Sequence, residues 1–199
     1  MGYLREIDDD EADGTVAELY AADRAALGHV ANYTRTFAPR PAVYRAWQAL
    51  NGAIKKTMDQ RRYEVATVAA ARQLKSSYCV LAHGSVLVGL VGEAAVRDLV
   101  GIGRGHELTD GDQAVAALAA KVASDAPSIT EDDFAELREL GFDDADILDV
   151  VLAAAARCFF STVLDATGTL PDAEYATTLA PETRALLTVG RPIEIQSRQ

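Results

Sequence analysis

The sequence predicts an all-α protein, and three observations carry that prediction. Alanine dominates the apolar residues of a 199-residue chain that is 49% hydrophobic, and alanine is the strongest helix former. Apolar side chains recur at three- and four-residue spacing along most of the length, with no alternating strand pattern of any extent between them. Capping residues and glycine stops bracket the periodic runs at helical lengths.

Residues 15–27 read as the first helix, with Val16, Leu19, Tyr20 and Leu27 near helical spacing and Gly28 as its stop. The acidic run ahead of it, residues 6–13, reads as a solvated lead-in. Pro39 and Pro41 punctuate the chain before a helix over 43–58, which carries Tyr44, Trp47, Leu50 and Ile54 along one side. Asp59 caps a third helix through Leu74, in which Tyr63, Ala66, Thr67, Ala70 and Leu74 recur at three and four. Lys75, Ser76 and Ser77 break it. A fourth helix over 78–91 is apolar enough to be buried on most sides, and 93–99 is a short helix before a loop at Gly101, Gly103 and Gly105. Another helix covers 112–124. The capping pattern from Thr130 to Asp133 opens 132–140, which Gly141 stops. Asp143 or Asp144 starts the last long helix, through Thr167, with Gly168 behind it. After Pro171 the chain reads as irregular, with 190–199 as a tail or arm. The expectation is one domain over 1–199, with a core at 42–168, an N-terminal segment at 1–41 and a tail at 171–199. Its two helical halves meet near 101–111.

Charge narrows the function classes. Nineteen basic against 30 acidic residues leave −11 and a pI near 4.7, so the surface repels phosphate backbones and disfavours anionic membranes. No stretch approaches the roughly 20 uncharged apolar residues of a membrane span; the longest run, 150–156, closes on Arg157. The N-terminus turns acidic at once, unlike a signal or transit peptide. Cys79 and Cys158 stand far apart, which is no disulfide framework and fits a reducing cytoplasm. Gly101-Ile102-Gly103-Arg104-Gly105 follows a helix and lacks the Walker lysine. Scattered histidines and two distant cysteines give no metal spacing, and no flavin or nicotinamide motif is present. No cofactor is expected, and His29 and His106 receive no role.

One constellation can carry chemistry. Ser76 or Ser77 can cap the fourth helix, leaving Cys79 in its first turn, where unpaired N–H groups favour a thiolate. His83, four residues on, shares that face and can exchange a proton with the thiol. Glu64 lies on the preceding helix, which packs antiparallel across a short turn, so its carboxylate can orient the imidazole. Each residue also has a structural reading: free cysteine is among the most buried residue types, and a histidine on an apolar helix is often a satisfied core group.

Glu64, eleven residues, then Ser76-x-x-Cys79-x-x-x-His83 resembles the signature Glu-(11)-Cys-x-x-Cys-x-x-x-His of the alkylhydroperoxidase D-like, or carboxymuconolactone decarboxylase, superfamily. Residues 137–148, from Leu137-Arg138 through Gly141-Phe142 to Ile147-Leu148, resemble a run of its peroxidase-related branch. Phe159-Phe160-Ser161 stands where that branch often has an aromatic-Asn pair, so the likeness covers about 42–168. The resemblance implies an all-α homo-oligomer that reduces hydroperoxides. It makes Cys79 the peroxidatic cysteine, His83 and Glu64 the proton relay, and Tyr78 a further relay position. Ser76 stands where the family has its resolving cysteine, and a hydroxyl cannot resolve a sulfenic acid. Cys158 is read chiefly as core and secondarily as a substitute resolver, and Arg157 as a helix-surface arginine.

Three functions follow from these residues. The first is a one-cysteine thiol peroxidase acting on a small-molecule substrate and regenerated by an external thiol. The second is a decarboxylase-like proton-transfer enzyme using His83 and Glu64. The third is a non-catalytic oligomer that keeps the fold.

Overall fold

A computed structural model describes residues 2–101 and 107–195. Its helices are α1 (Gly14–Leu27), α2 (Asn32–Phe37), α3 (Pro41–Thr57), α4 (Gln60–Gln73), α5 (Ser77–Leu99), α6 (Asp110–Asp125), α7 (Glu131–Glu139), α8 (Asp144–Ala166), α9 (Tyr175–Thr178) and α10 (Pro181–Leu187). A single 3-10 turn, Ala126–Ser128, joins α6 to α7, and no strand occurs among the described residues. The fold is all-α, as the sequence predicts.

The local signals account for most helix ends. The Asp59 carboxylate accepts from the Arg62 N–H at 3.0 Å and opens α4. Thr130 with Asp133, and Asp143 with Asp146, form reciprocal capping boxes ahead of α7 and α8. Within α5, Gly92 adopts φ 85° and ψ 163°, so the helix breaks between the two segments that the sequence separates.

Helix α4 is the centre of the molecule. Every residue from Tyr63 to Ala71 is buried, and α5, α6 and α8 pack around it. Its alanines at 66, 69, 70 and 71 keep those neighbours close. Helix α3 packs on α8, and α10 on α5. The two longest helices, α5 and α8, are long and apolar enough, by length and average composition, to cross a membrane. Neither is an unbroken apolar run, because isolated polar groups such as His83 in α5 and Arg157 in α8 interrupt them.

Three expectations are corrected. Residues 29–40 contain α2, which turns Tyr33 and Phe37 inward and carries too few apolar positions to register as periodic. Helix α6 starts at Asp110 rather than Asp112, because the cap is Thr109 with Asp112 closing its box. The segment after Pro171 is neither irregular nor a free tail. It forms α9 and α10, buries Thr183 and Leu187 completely, and returns along α5. The Gly190 N–H donates to Ser77 Oγ at 2.7 Å, and the Glu194 N–H to the Pro171 carbonyl at 2.9 Å. Most of the glycine loop at 101–105, His106 and the last four residues lie outside the described residues.

Gly190 shows how closely that returning segment is held. A Cβ there would run into the Lys75 carbonyl oxygen. Gly190→Ala is therefore expected to lower stability by about 1–3 kcal/mol through overpacking, read as an earlier midpoint in urea unfolding; an unchanged midpoint would show that the segment is not clamped at this point.

Candidate active site

The constellation read from the sequence assembles beside one cavity of about 360 Å³. Helix α5 presents Cys79 and His83 to it one turn apart, α3 supplies Tyr44, Trp47 and Asn51, and α8 supplies Arg157 and Phe160. Tyr33 on α2 and Tyr175 on α9 complete the aromatic wall. Trp47 stacks on Phe160 with centroids 4.1 Å apart, and Phe37 stacks behind Phe160 at 5.3 Å.

Glu64, 1% exposed on α4, bonds His83 at 2.6 Å between Oε2 and Nδ1. This pairing puts the imidazole proton on Nδ1 and leaves the Nε2 lone pair free. Burial pushes His83 down to about 4, Arg157 and Lys55 push the same way, and Glu64 opposes them without prevailing. His83 is thus a neutral imidazole at physiological pH, with its ring edge-on to Tyr63 at 5.9 Å. A neutral base beside a thiol is competent to take its proton.

Arg157 is the group that sequence reading misjudged. It is 2% exposed, not on the helix surface. Its Nη1 donates to Cys79 Sγ at 3.5 Å and its Nη2 to the Tyr63 hydroxyl at 3.4 Å. That hydroxyl in turn donates to Asn51 Oδ1 at 2.7 Å. The guanidinium also lies over the Phe160 and Trp47 rings, 5.5 and 6.0 Å from their centroids. Burial opposes its charge, but the facing Cys79 and Tyr63 raise its pKa further. A permanent cation therefore faces the sulfur. Its only sequence signal was one arginine inside the apolar run of α8.

The other expected residues are placed differently. Ser76 occupies the N-cap of α5 without a side-chain capping bond, and its buried hydroxyl faces the Asp165 carboxyl. It lies toward Asp165, whose carboxyl burial raises, and makes no bond to Cys79. Tyr78 lines the cavity, but its hydroxyl donates to Asp172 and accepts from the Tyr33 N–H. Burial, reinforced by Asp172, pushes this phenol well above its ordinary value. Asp172 also takes the Asn32 N–H at 2.8 Å, so the Tyr78 phenol is tied to the returning C-terminal segment. Cys158 is half-buried, reduced and absent from the cavity wall, and burial raises its thiol. Among the described residues no cluster of potential metal ligands occurs.

Solved structures place this architecture in a known class of helical proteins. The alkylhydroperoxidase AhpD core of a peroxidase-related protein from Ralstonia eutropha JMP134 aligns with a TM-score of 0.76 at 23% identity, over 96% of this chain and 98% of that one. A peroxidase-related protein from Silicibacter sp. TM1040 aligns at 0.70 and 24% identity, over 88% and 91%. A cysteine-to-alanine variant of the debrominase Bmp8, in complex with 2,3,4-tribromopyrrole, aligns at 0.65 and 13% identity, over 87% and 93%. No protein-family model matches the sequence, and no curated protein matches it. The chain has the alkylhydroperoxidase D-like helical fold, the fold that its resemblance to that superfamily implies.

The depressed His83 value has a consequence for stability. Above the ordinary value of 6.5, native and unfolded chains are both neutral at this residue, and its contribution is complete. Between pH 6.5 and about 4 the unfolded chain binds a proton that the native chain refuses, so stability falls as pH falls. The full excursion is on the order of 3 kcal/mol. Thermal unfolding of His83→Asn followed over this range is expected to show a shallower decline than the parent protein; parallel curves would contradict a buried neutral imidazole.

Proposed function

We propose that this protein is a thiol-dependent oxidoreductase that reduces hydroperoxides with Cys79 as its single reacting thiol. The observation that carries the reading is the meeting of three groups at one cavity wall: the Cys79 thiol, the Arg157 guanidinium and the neutral His83 backed by Glu64. The fold's likeness to peroxidase-related proteins supports it.

In the first half-reaction His83 Nε2 accepts the thiol proton as sulfur attacks the terminal peroxide oxygen. The O–O bond breaks, the S–O bond forms, and the leaving alkoxide takes the proton back from the imidazolium, giving an alcohol and a Cys79 sulfenic acid. Arg157 stabilises negative charge first on sulfur and then on the leaving oxygen. In the second half-reaction a low-molecular-weight thiol attacks the sulfenic sulfur and releases water. A second equivalent then displaces Cys79 as thiol and leaves with the first as a disulfide. Ser76 cannot replace that external reductant. The reading carries with it a cytoplasmic location, where such thiols are available. It also carries assembly of copies through exposed apolar residues of α8, including Leu148, Leu152 and Phe159.

A second reading has its own support. A neutral imidazole paired with a buried carboxylate is also the equipment for proton transfer on a small organic acid, and that chemistry needs no thiol. The debrominase with the same fold shows that hydroperoxides are not the fold's sole business.

The deciding experiment treats reduced protein with one equivalent of cumene hydroperoxide, traps sulfenic acid with dimedone and locates the adduct by mass spectrometry. Labelling is expected at Cys79, abolished in Cys79→Ser, retained in Cys158→Ser and slowed about 100-fold or more in His83→Ala. A disulfide between Cys79 and Cys158 would reassign the resolving role, and an inert Cys79 would end the peroxidase reading and leave proton transfer and a non-catalytic oligomer to be separated by substrate screening.

A further inference from the structure

Four tyrosines line the Cys79 cavity: Tyr33, Tyr44, Tyr78 and Tyr175. A phenol that keeps its proton is a hydrogen-bond donor, and the four differ in what their hydroxyls already hold. The Tyr78 hydroxyl is committed to Asp172, and that of Tyr44 meets Thr34 Oγ1 at 3.5 Å. Among the described residues, the hydroxyls of Tyr33 and Tyr175 have no hydrogen-bond partner.

The two free phenols sit in different fields. Burial holds both protonated, far above the ordinary phenol value. At Tyr33 the next contributions come from Tyr44 and Asp23. At Tyr175 they come from Asp172 and then from Cys79, so this phenol shares its space with the reacting sulfur. Its position is well defined. Tyr175 opens α9, its N–H donates to the Asp172 carbonyl at 3.1 Å, and its ring meets the Tyr78 ring edge-on at 6.1 Å. Asp172 and Leu179, both buried, hold the short α9 from either end.

Displacement on a peroxide is in line, so the leaving oxygen departs on the side away from the sulfur. Arg157 Nη1 is bonded to the sulfur itself. Charge that builds on the departing oxygen is best met by a further donor aimed at that oxygen.

We infer that the Tyr175 hydroxyl is this donor, bonding the leaving oxygen of an alkyl hydroperoxide as the O–O bond breaks; the assignment rests on the Cys79 reading above. The sulfur pair forms the S–O bond, and the O–O pair leaves on the alkoxide oxygen. The thiol proton, carried by His83 Nε2, ends on the alcohol. Tyr175 keeps its own proton and needs no resetting between turnovers. Such a donor favours unactivated alkyl hydroperoxides, whose alkoxides are strongly basic. It contributes little to a peracid, which leaves as a stabilised carboxylate.

The test compares the parent protein with Tyr175→Phe, which keeps the ring against Tyr78 and removes only the hydroxyl. Rapid quenching with dimedone and mass spectrometry gives the rate of sulfenic acid formation at Cys79. The oxidants are tert-butyl hydroperoxide, cumene hydroperoxide and peracetic acid. Tyr175→Phe is expected to slow the two alkyl hydroperoxides about 100-fold and to leave peracetic acid nearly unaffected. Equal slowing of all three would report a displaced α9 rather than a lost donor, and that result overturns the assignment, as does no slowing of any. A parent Cys79 inert to all three oxidants ends the peroxidase reading and this assignment with it. A reactive parent with a flat response to Tyr175→Phe ends the assignment alone, so the two failures are separable.

Discussion

A guanidinium that cannot lose its proton sits at the meeting point of four helices, and the arrangement around it answers to that constraint. Desolvating Arg157 opposes folding by several kcal/mol unless polar and polarisable groups surround it. Helix α5 brings the Cys79 sulfur, α4 the Tyr63 hydroxyl, α3 the Trp47 face and α8 the Phe160 face. Asn51 holds the Tyr63 hydroxyl from the far side, so the orientation of the guanidinium is tied to a chain of contacts across the bundle. The same groups form the cavity wall. Stability and chemistry therefore draw on one cluster.

The Glu64–His83 bond depends on a different property of the sequence, the small side chains of α4. Alanines on this central helix let α5 approach until a glutamate and a histidine from facing helices meet at 2.6 Å. Partial burial on this packed face is what holds the imidazole neutral. A histidine in the same register on a solvated helix would titrate near its ordinary value and lose its standing as a base in weak acid. Core packing and acid–base behaviour are thus one effect seen at two levels.

Ser76 changes the economy of the site more than its geometry. Its hydroxyl fits the buried N-cap position of α5, where it caps no backbone N–H, and turns toward Asp165 rather than Cys79. The sulfur has the company of a cation and a base but of no second thiol, because Cys158 does not reach the cavity. Under the proposed peroxidase reading, a cysteine so placed depends on an outside molecule to complete the cycle. The returning C-terminal segment governs the same space from the opposite wall, through Tyr175 and through the Asp172 bond to Tyr78.

The sequence by itself determined the all-α class, most helix boundaries, the break at Gly92 and the placing of Glu64 opposite Cys79 and His83 on two adjacent helices. These rest on short-range physics: periodicity, caps, and spacings that two adjacent antiparallel helices translate into contact. It also put a hydroxyl rather than a thiol at Ser76, three residues before Cys79. Only the tertiary structure decided the role of Arg157, because an arginine in an apolar helix reads as surface until the packing of α3, α4 and α5 around α8 is known. The same holds for α2, for α9 and α10, and for the tie between Tyr78 and Asp172, whose partners lie 94 positions apart. Residues so distant meet through the closure of the whole bundle, and no local pattern in the chain encodes that meeting.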